Sequence, residues 1–162
     1  MKLRRIGTIH TPYTKIEDVP MQASCSSAEG IVVVYRRYAR GLKDVDGFSH
    51  LMLVYLGDDV HDYFLSRKTM DNLRHGIFAA RSLARPNPIG VSIVKLLNIS
   101  DNRLNVKGVD MLDNTPLLDI KPYVHELDSR IRTRRGWFDN RVLYDIKSIG
   151  QEQSFISKFL KK

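Results

Sequence analysis

The apolar residues of this chain fall into short, β-branched runs closed off by turn formers, and this pattern restricts the fold more than any other feature. Ile31-Val32-Val33-Val34-Tyr35, Leu51-Met52-Leu53-Val54-Tyr55-Leu56 and Val91-Ser92-Ile93-Val94-Lys95-Leu96-Leu97 each read as a strand. Leu104-Asn105-Val106-Lys107-Gly108-Val109 alternates apolar with polar, the period of a strand with one buried face. Ile6-Gly7-Thr8-Ile9-His10 and Gly76-Ile77-Phe78-Ala79-Ala80 are shorter candidates, and Asp101-Asn102 suits a hairpin turn. Helical periodicity is weak before residue 125. Near the end, Phe155, Ile156, Phe159 and Leu160 follow the polar run Gln151-Glu152-Gln153 at the spacing of one helix face. The expected fold is mostly β: a single β-barrel-like domain of largely antiparallel strands with a short C-terminal helical appendage.

At 162 residues and 43% hydrophobic, the chain can bury one core without disulfide or metal staples. Its single cysteine, Cys25, lies among serines with no basic or histidine neighbour in sequence, and reads as an ordinary thiol. Nothing after Met1-Lys2-Leu3-Arg4-Arg5 has the apolar length of a signal peptide, and no window has that of a membrane span. A cytoplasmic location and no membrane role are therefore expected. The formal charge of +8 favours a polyanionic partner, nucleic acid before an anionic membrane.

The chain has no GxGxxG, no P-loop and no G-x-S-x-G elbow. His10, His50, His61, His75 and His125 are dispersed, without HExxH or CxxC, so no metal is expected. Chemistry concentrates in two other stretches. In Arg81-Ser82-Leu83-Ala84-Arg85-Pro86-Asn87-Pro88-Ile89-Gly90, two prolines stiffen the loop and Gly90 permits a close approach before the next strand. Arginines there suit a carboxylate or phosphate, or they flank a rigid surface turn. The segment from Asp110-Met111-Leu112-Asp113-Asn114-Thr115-Pro116 to Leu118-Asp119-Ile120-Lys121-Pro122-Tyr123 gathers carboxylates in a basic chain. They suit a ribose or a sulfonium charge, or an Asx-type turn with Asp119 and Lys121 in solvent.

Arg130, Arg132, Arg134 and Arg135 precede Gly136-Trp137-Phe138, and Arg36, Arg37 and Arg40 form a second basic group. Cations beside an aromatic ring have the composition of an RNA-contacting surface; a core tryptophan beside solvated arginines is the other reading. Arg85, Lys121, Arg130, Arg132, Arg134 and Arg135 are the candidate RNA contacts.

These segments together resemble the TrmO (TsaA-like) family. The matching runs are Ile6-Gly7-Thr8-Ile9-His10-Thr11-Pro12-Tyr13, Gly47-Phe48-Ser49-His50-Leu51 and Gly76-Ile77-Phe78-Ala79-Ala80-Arg81-Ser82. Arg85-Pro86-Asn87-Pro88-Ile89-Gly90, Gly108-Val109-Asp110-Met111-Leu112-Asp113 and Leu118-Asp119-Ile120-Lys121-Pro122-Tyr123 follow in order. The resemblance implies a barrel-type methyltransferase domain over residues 1–138, with 139–162 as an appendage. It also implies a homodimer using S-adenosylmethionine on N6-threonylcarbamoyladenosine, at position 37 of tRNA beside the anticodon. By position, cofactor contacts are expected at Thr11, Pro12, Tyr13, Arg81, Val91, Asp110, Met111, Leu112 and Asp113, and at Asp58 and Asp59. The chain departs from the family where Gly57-Asp58-Asp59 replaces a His-Gln pair, at Ala80 where threonine is usual, and in its shorter tail.

The implied transfer is a positioning task, holding sulfur, methyl carbon and acceptor nitrogen in line, with one group receiving the nitrogen's proton. Asp110, Asp113 and Asp119 are the candidate bases, and Arg81 is a candidate carboxylate binder. A same-fold methyltransferase with another RNA or small-molecule substrate, and a non-catalytic cofactor- or RNA-binding module, are the competing readings.

Overall fold

The computed structural model describes residues 2–57 and 62–138. Its strands in chain order are β1 (Gly7–His10), β2 (Glu29–Val34), β3 (His50–Leu56), β4 (Ser66–Lys68), β5 (Arg74–Gly76), β6 (Ile89–Ser100), β7 (Arg103–Lys107) and β8 (Thr115–Pro122). A one-turn helix, α1 (His125–Asp128), follows. Six strands close into a barrel in the order β1-β2-β7-β6-β3-β8, while β4 and β5 pair by themselves. Every pairing is antiparallel, including the β1–β8 pairing that seals the barrel. Closure leaves the barrel without an unpaired edge, which such short strands would otherwise expose.

Alternation decides what fills the interior. Along β3, Leu51, Leu53 and Tyr55 point inward and are buried, while Met52 and Val54 between them are half-buried. Ile9, Val32, Val34, Val94, Leu104, Val106 and Leu117 from the other strands complete an aliphatic core. Each such side chain contributes about 1.5–3 kcal/mol by leaving water. At the β6–β7 turn, Asp101 takes a φ of 55° and the Asn102 side chain donates to Val34 O at 2.6 Å, pinning the hairpin to the end of β2.

The strands expected at 31–35, 51–56, 91–97, 104–109 and 6–10 are all present, with shifted ends. The run at Gly76–Ala80 is not a strand. Gly76 ends β5 and Ile77–Ala79 form a 3₁₀ turn, because Ile77 alone faces inward and Phe78 is 78% exposed. The β8 strand runs through the segment for which an Asx-type turn was one reading. Pro116 is accommodated as the second residue of the strand, close to its end. The terminal helix expected around Phe155 and the pair Asp58-Asp59 lie outside the described residues. No helix among the described residues is long and apolar enough to cross a membrane.

Candidate active site at the barrel mouth

The antiparallel order brings the exits of β1, β3 and β7 and the starts of β2, β6 and β8 to one mouth. Two of the expected cofactor segments are laced together there. The Thr11 amide donates to Asp113 Oδ1 at 3.1 Å, and His10 Nδ1 lies 3.2 Å from the same oxygen. The Asp113 amide donates to Tyr13 O at 2.7 Å, and the Thr11 hydroxyl to Met111 O at 2.9 Å. Asn114 Nδ2 donates to Asp113 Oδ2 at 2.8 Å, and the Thr115 hydroxyl to Leu112 O at 2.7 Å. Tyr13 reaches Ser26 with its hydroxyl at 3.3 Å. Thr11, Pro12, Tyr13, Met111, Leu112 and Asp113 are thus one rigid rim, with Met111 buried and Pro12 exposed.

Asp110 is the charge the rim surrounds. Its carboxylate accepts from the Ser92 hydroxyl and from the Ala23 backbone, with Arg81 close enough to act on it electrostatically. Burial pushes its carboxyl above the usual carboxylate range, a shift these donors and Arg81 partly offset. Tyr55 OH lies 3.1 Å from Ser92 Oγ, so a chain of polar side chains runs from the barrel interior to Asp110. Gly90 makes room for it, since a Cβ there would fall 2.3 Å from Tyr55 Cε2 and Cζ. The close approach expected of Gly90 is therefore made by the tyrosine ring.

Burial, and next the Asp110 charge, push the Tyr55 phenol up to about 12 from an ordinary 10.0. A raised folded-state value stabilises fully below the unfolded value and is lost as pH rises through the folded one. About 2–3 kcal/mol should therefore disappear between pH 10 and 12. The difference in tyrosinate absorbance between wild type and Tyr55→Phe should accordingly titrate near pH 12; a midpoint near 10 would contradict the buried assignment.

Other expected site residues lie outside the laced rim, Arg81 among them near enough to act on Asp110 and Tyr55. Val91 is 51% exposed on the outer face of β6, opposite in direction to its neighbours Gly90 and Ser92. Asp119 also faces outward, paired across from Val54 and held by Lys121 Nζ at 2.9 Å. Arg81 is exposed on the segment leading into β6, and Arg85 donates to Ile77 O at 3.4 Å beside Phe78. Arg130 caps the turn after α1 by donating to Leu127 O and Ser129 O, whereas Arg132 and Arg134 are exposed. Trp137 is neither core nor open platform. Its indole donates to Ala79 O at 2.8 Å, and its ring stacks between His75 and Phe138. Sequence reading missed Tyr55 and Ser92 because each sits within an apolar run; the only signal was a polar group at an inward position. Among the described residues, no group of three or more histidine, cysteine or acidic side chains is placed to hold a metal ion.

A model of the tRNA-methyltransferase O N-terminal domain matches residues 8–129. The chain is 46% identical over 141 residues to a probable S-adenosyl-L-methionine-binding protein of Pyrococcus abyssi, covering 86% of this chain and 77% of that one. It is 32% identical to the tRNA (adenine(37)-N6)-methyltransferase of Escherichia coli over 144 residues, 76% of this chain and 57% of the enzyme. The crystal structure of TrmO from Pseudomonas aeruginosa superposes with a TM-score of 0.72 at 31% identity, over 84% of this chain and 61% of that one. The match thus spans less than two thirds of the enzyme and of the solved chain. With the family model covering most of the sequence and the barrel shared with a solved member, the chain belongs to the family of the tRNA-methyltransferase O N-terminal domain.

Proposed function

We propose that this chain is an S-adenosylmethionine-dependent methyltransferase acting on N6 of N6-threonylcarbamoyladenosine at position 37 of tRNA. The observation that carries the reading is Asp110: a part-buried carboxylate at the barrel mouth, enclosed by a laced rim, in a chain of this family. S-adenosylmethionine, when bound, supplies a methyl group on a sulfonium. The mouth fits such a zwitterion, with Asp110 for its cationic groups and Arg81 for its carboxylate. Relatives named for S-adenosyl-L-methionine binding, and others named for methylation of tRNA adenine 37, support cofactor and substrate class.

Of the three candidate bases, Asp110 is the one we assign. Asp119 faces outward in its ion pair, and Asp113 is the tie that laces Thr11 and Asn114 into the rim. Burial raises Asp110 toward the working range of a general base. The rim holds the ligand, Arg81 orients it and Asp110 takes the proton released by the acceptor nitrogen. The exposed Arg132 and Arg134, together with Arg85 beside the exposed Phe78 ring, would form the cationic, aromatic border on which an RNA loop lies, with the Trp137–Phe138 stack anchoring that segment. Arg130, Arg135 and Lys121 belong to the same proposal as peripheral phosphate contacts.

A homodimer in the cytoplasm is part of this reading. The outer faces of β3 and β6 pair Met52 with Ile93 and Val54 with Val91, apolar side chains where a solvated barrel face would alternate to polar. Val91 would then meet a second copy.

The test is methyl transfer from labelled S-adenosylmethionine to tRNA with and without threonylcarbamoyladenosine. Label confined to the modified tRNA and mapped to that base is the expected result; binding without transfer to any RNA would favour a binding module. In the same assay, Arg81→Ala should lose roughly 100-fold in turnover, in line with the loss of a charged positioning contact. Being exposed, Arg81 should leave the thermal midpoint in place. Undiminished turnover would remove Arg81 from the site.

A further inference from the structure

The interior of the barrel is aliphatic except along one line. Among the described buried residues, the polar ones are Ser92 and Thr115, with Tyr55 carrying a hydroxyl beside Ser92. Thr115 is accounted for by its own turn, donating to Leu112 O at 2.7 Å. Ser92 and Tyr55 have no such local use. Leu53 and Gly90 are their cross-strand partners, so both side chains point inward as diagonal neighbours across the β3–β6 pair. A leucine and a phenylalanine would fill the same space without any polar group to satisfy. Keeping two hydroxyls there needs a recipient, and the recipient is Asp110.

The direction of the hydrogen bonds follows from donor and acceptor capacity. An ionised carboxylate only accepts, so the Ser92 hydroxyl must give its single proton to Asp110 Oδ1. Ser92 Oγ is then left with lone pairs facing the phenol, and the hydroxyl of Tyr55 must donate to it across 3.1 Å. Gly90 fixes the end of this chain, because its missing Cβ is what lets the Tyr55 ring lie where its hydroxyl reaches Ser92. Arg81 on the segment before β6, the phenol on β3, the serine on β6 and the backbone of Ala23 are the groups acting on Asp110 from the elements around it.

We propose that Tyr55 and Ser92 are positioning residues for Asp110, a one-way donor chain that keeps its carboxylate ionised and aimed into the mouth for the cationic part of the ligand. For its ligand this rests on the function proposed above. Neither residue touches that ligand; each acts through Asp110. Tyr55→Phe is the cleanest probe, since the ring still packs over Gly90 and only the first donor is lost.

The experiment is calorimetric titration of the full chain with S-adenosylmethionine, for wild type, Tyr55→Phe, Ser92→Ala, Asp110→Asn and Tyr55→Phe combined with Asp110→Asn. Tyr55→Phe should weaken binding roughly 3–10-fold and Ser92→Ala at least as much, the range expected for one lost hydrogen bond. In the Asp110→Asn background, Tyr55→Phe should add less than about twofold, because the residue it served is gone. A second readout needs no ligand. The ¹³C carboxyl resonance of Asp110, assigned by its loss in Asp110→Asn, should titrate at higher pH in both Tyr55→Phe and Ser92→Ala. Wild-type-like binding by Tyr55→Phe, or a loss that persists undiminished beside Asp110→Asn, overturns the proposal, as does an unmoved carboxyl titration. Wild type that fails to bind while the carboxyl titration shifts as expected overturns the functional reading and leaves the donor chain standing.

Discussion

Asp110→Asn is expected to reduce methyl transfer by about 100-fold or more, the range for losing a general base, while the barrel stays folded. Binding should suffer too, by roughly 10–100-fold, because a carboxylate facing a cation contributes about 1.5–3 kcal/mol. Stability should move the other way or not at all. Burial raises the Asp110 carboxyl, so its ionised form costs the folded state free energy at neutral pH. Asparagine keeps an oxygen for the Ser92 hydroxyl and the Ala23 backbone and removes the charge. A thermal midpoint equal to or above wild type, together with lost transfer, is the signature of a residue held at a functional site against stability. A midpoint that falls with activity retained would make Asp110 a structural carboxylate and leave the proposed chemistry without its base.

How far the site was legible in the sequence depends on which face of a strand a residue takes. Strands β2, β3, β6 and β7 were visible because β-branched residues alternate or run together between turn formers, and that pattern survives into the barrel. The β8 strand was hidden. Its Thr-Pro start and its Asp119 and Lys121 are poor strand formers whose placement is decided by pairing with β1 and β3, which local propensity does not encode. The same limit explains the base candidates. Asp110, Asp113 and Asp119 are equivalent as letters, and only the fold turns Asp119 out to Lys121, commits Asp113 to the rim and leaves Asp110 at the mouth. The short β4–β5 pair was equally unreadable, being three residues on each side and rich in arginine and lysine. The tryptophan needed a contact partner, Ala79, that lies 58 residues away in sequence.

Gly7→Ala should be among the most damaging single-methyl changes in the barrel, costing about 3 kcal/mol or more, a size reserved for substitutions that leave a clash with no relief. The strand reading of Ile6–His10 gives glycine no reason to stand there, since it weakens a strand interior unless another backbone approaches closely. One does. A Cβ on Gly7 would fall 2.3 Å from the carbonyl oxygen of Val33 on β2 and 3.1 Å from the Leu117 side chain on β8. A long side chain could swing aside, but a carbonyl held in the β1–β2 ladder cannot. Relief requires β1 to part from β2, and β1 is where the barrel closes on β8. It also carries His10 and leads into Thr11 and Tyr13, so the laced rim should loosen with it. Gly41→Ala is the matched control, because nothing lies within 4 Å of a Cβ there. That change should be neutral, or stabilise by up to about 1 kcal/mol through a stiffer unfolded chain. Urea midpoints for the two variants settle the matter. If Gly7→Ala unfolds within about 0.5 kcal/mol of Gly41→Ala, the tight β1–β2 contact is not what holds the closing strand in register.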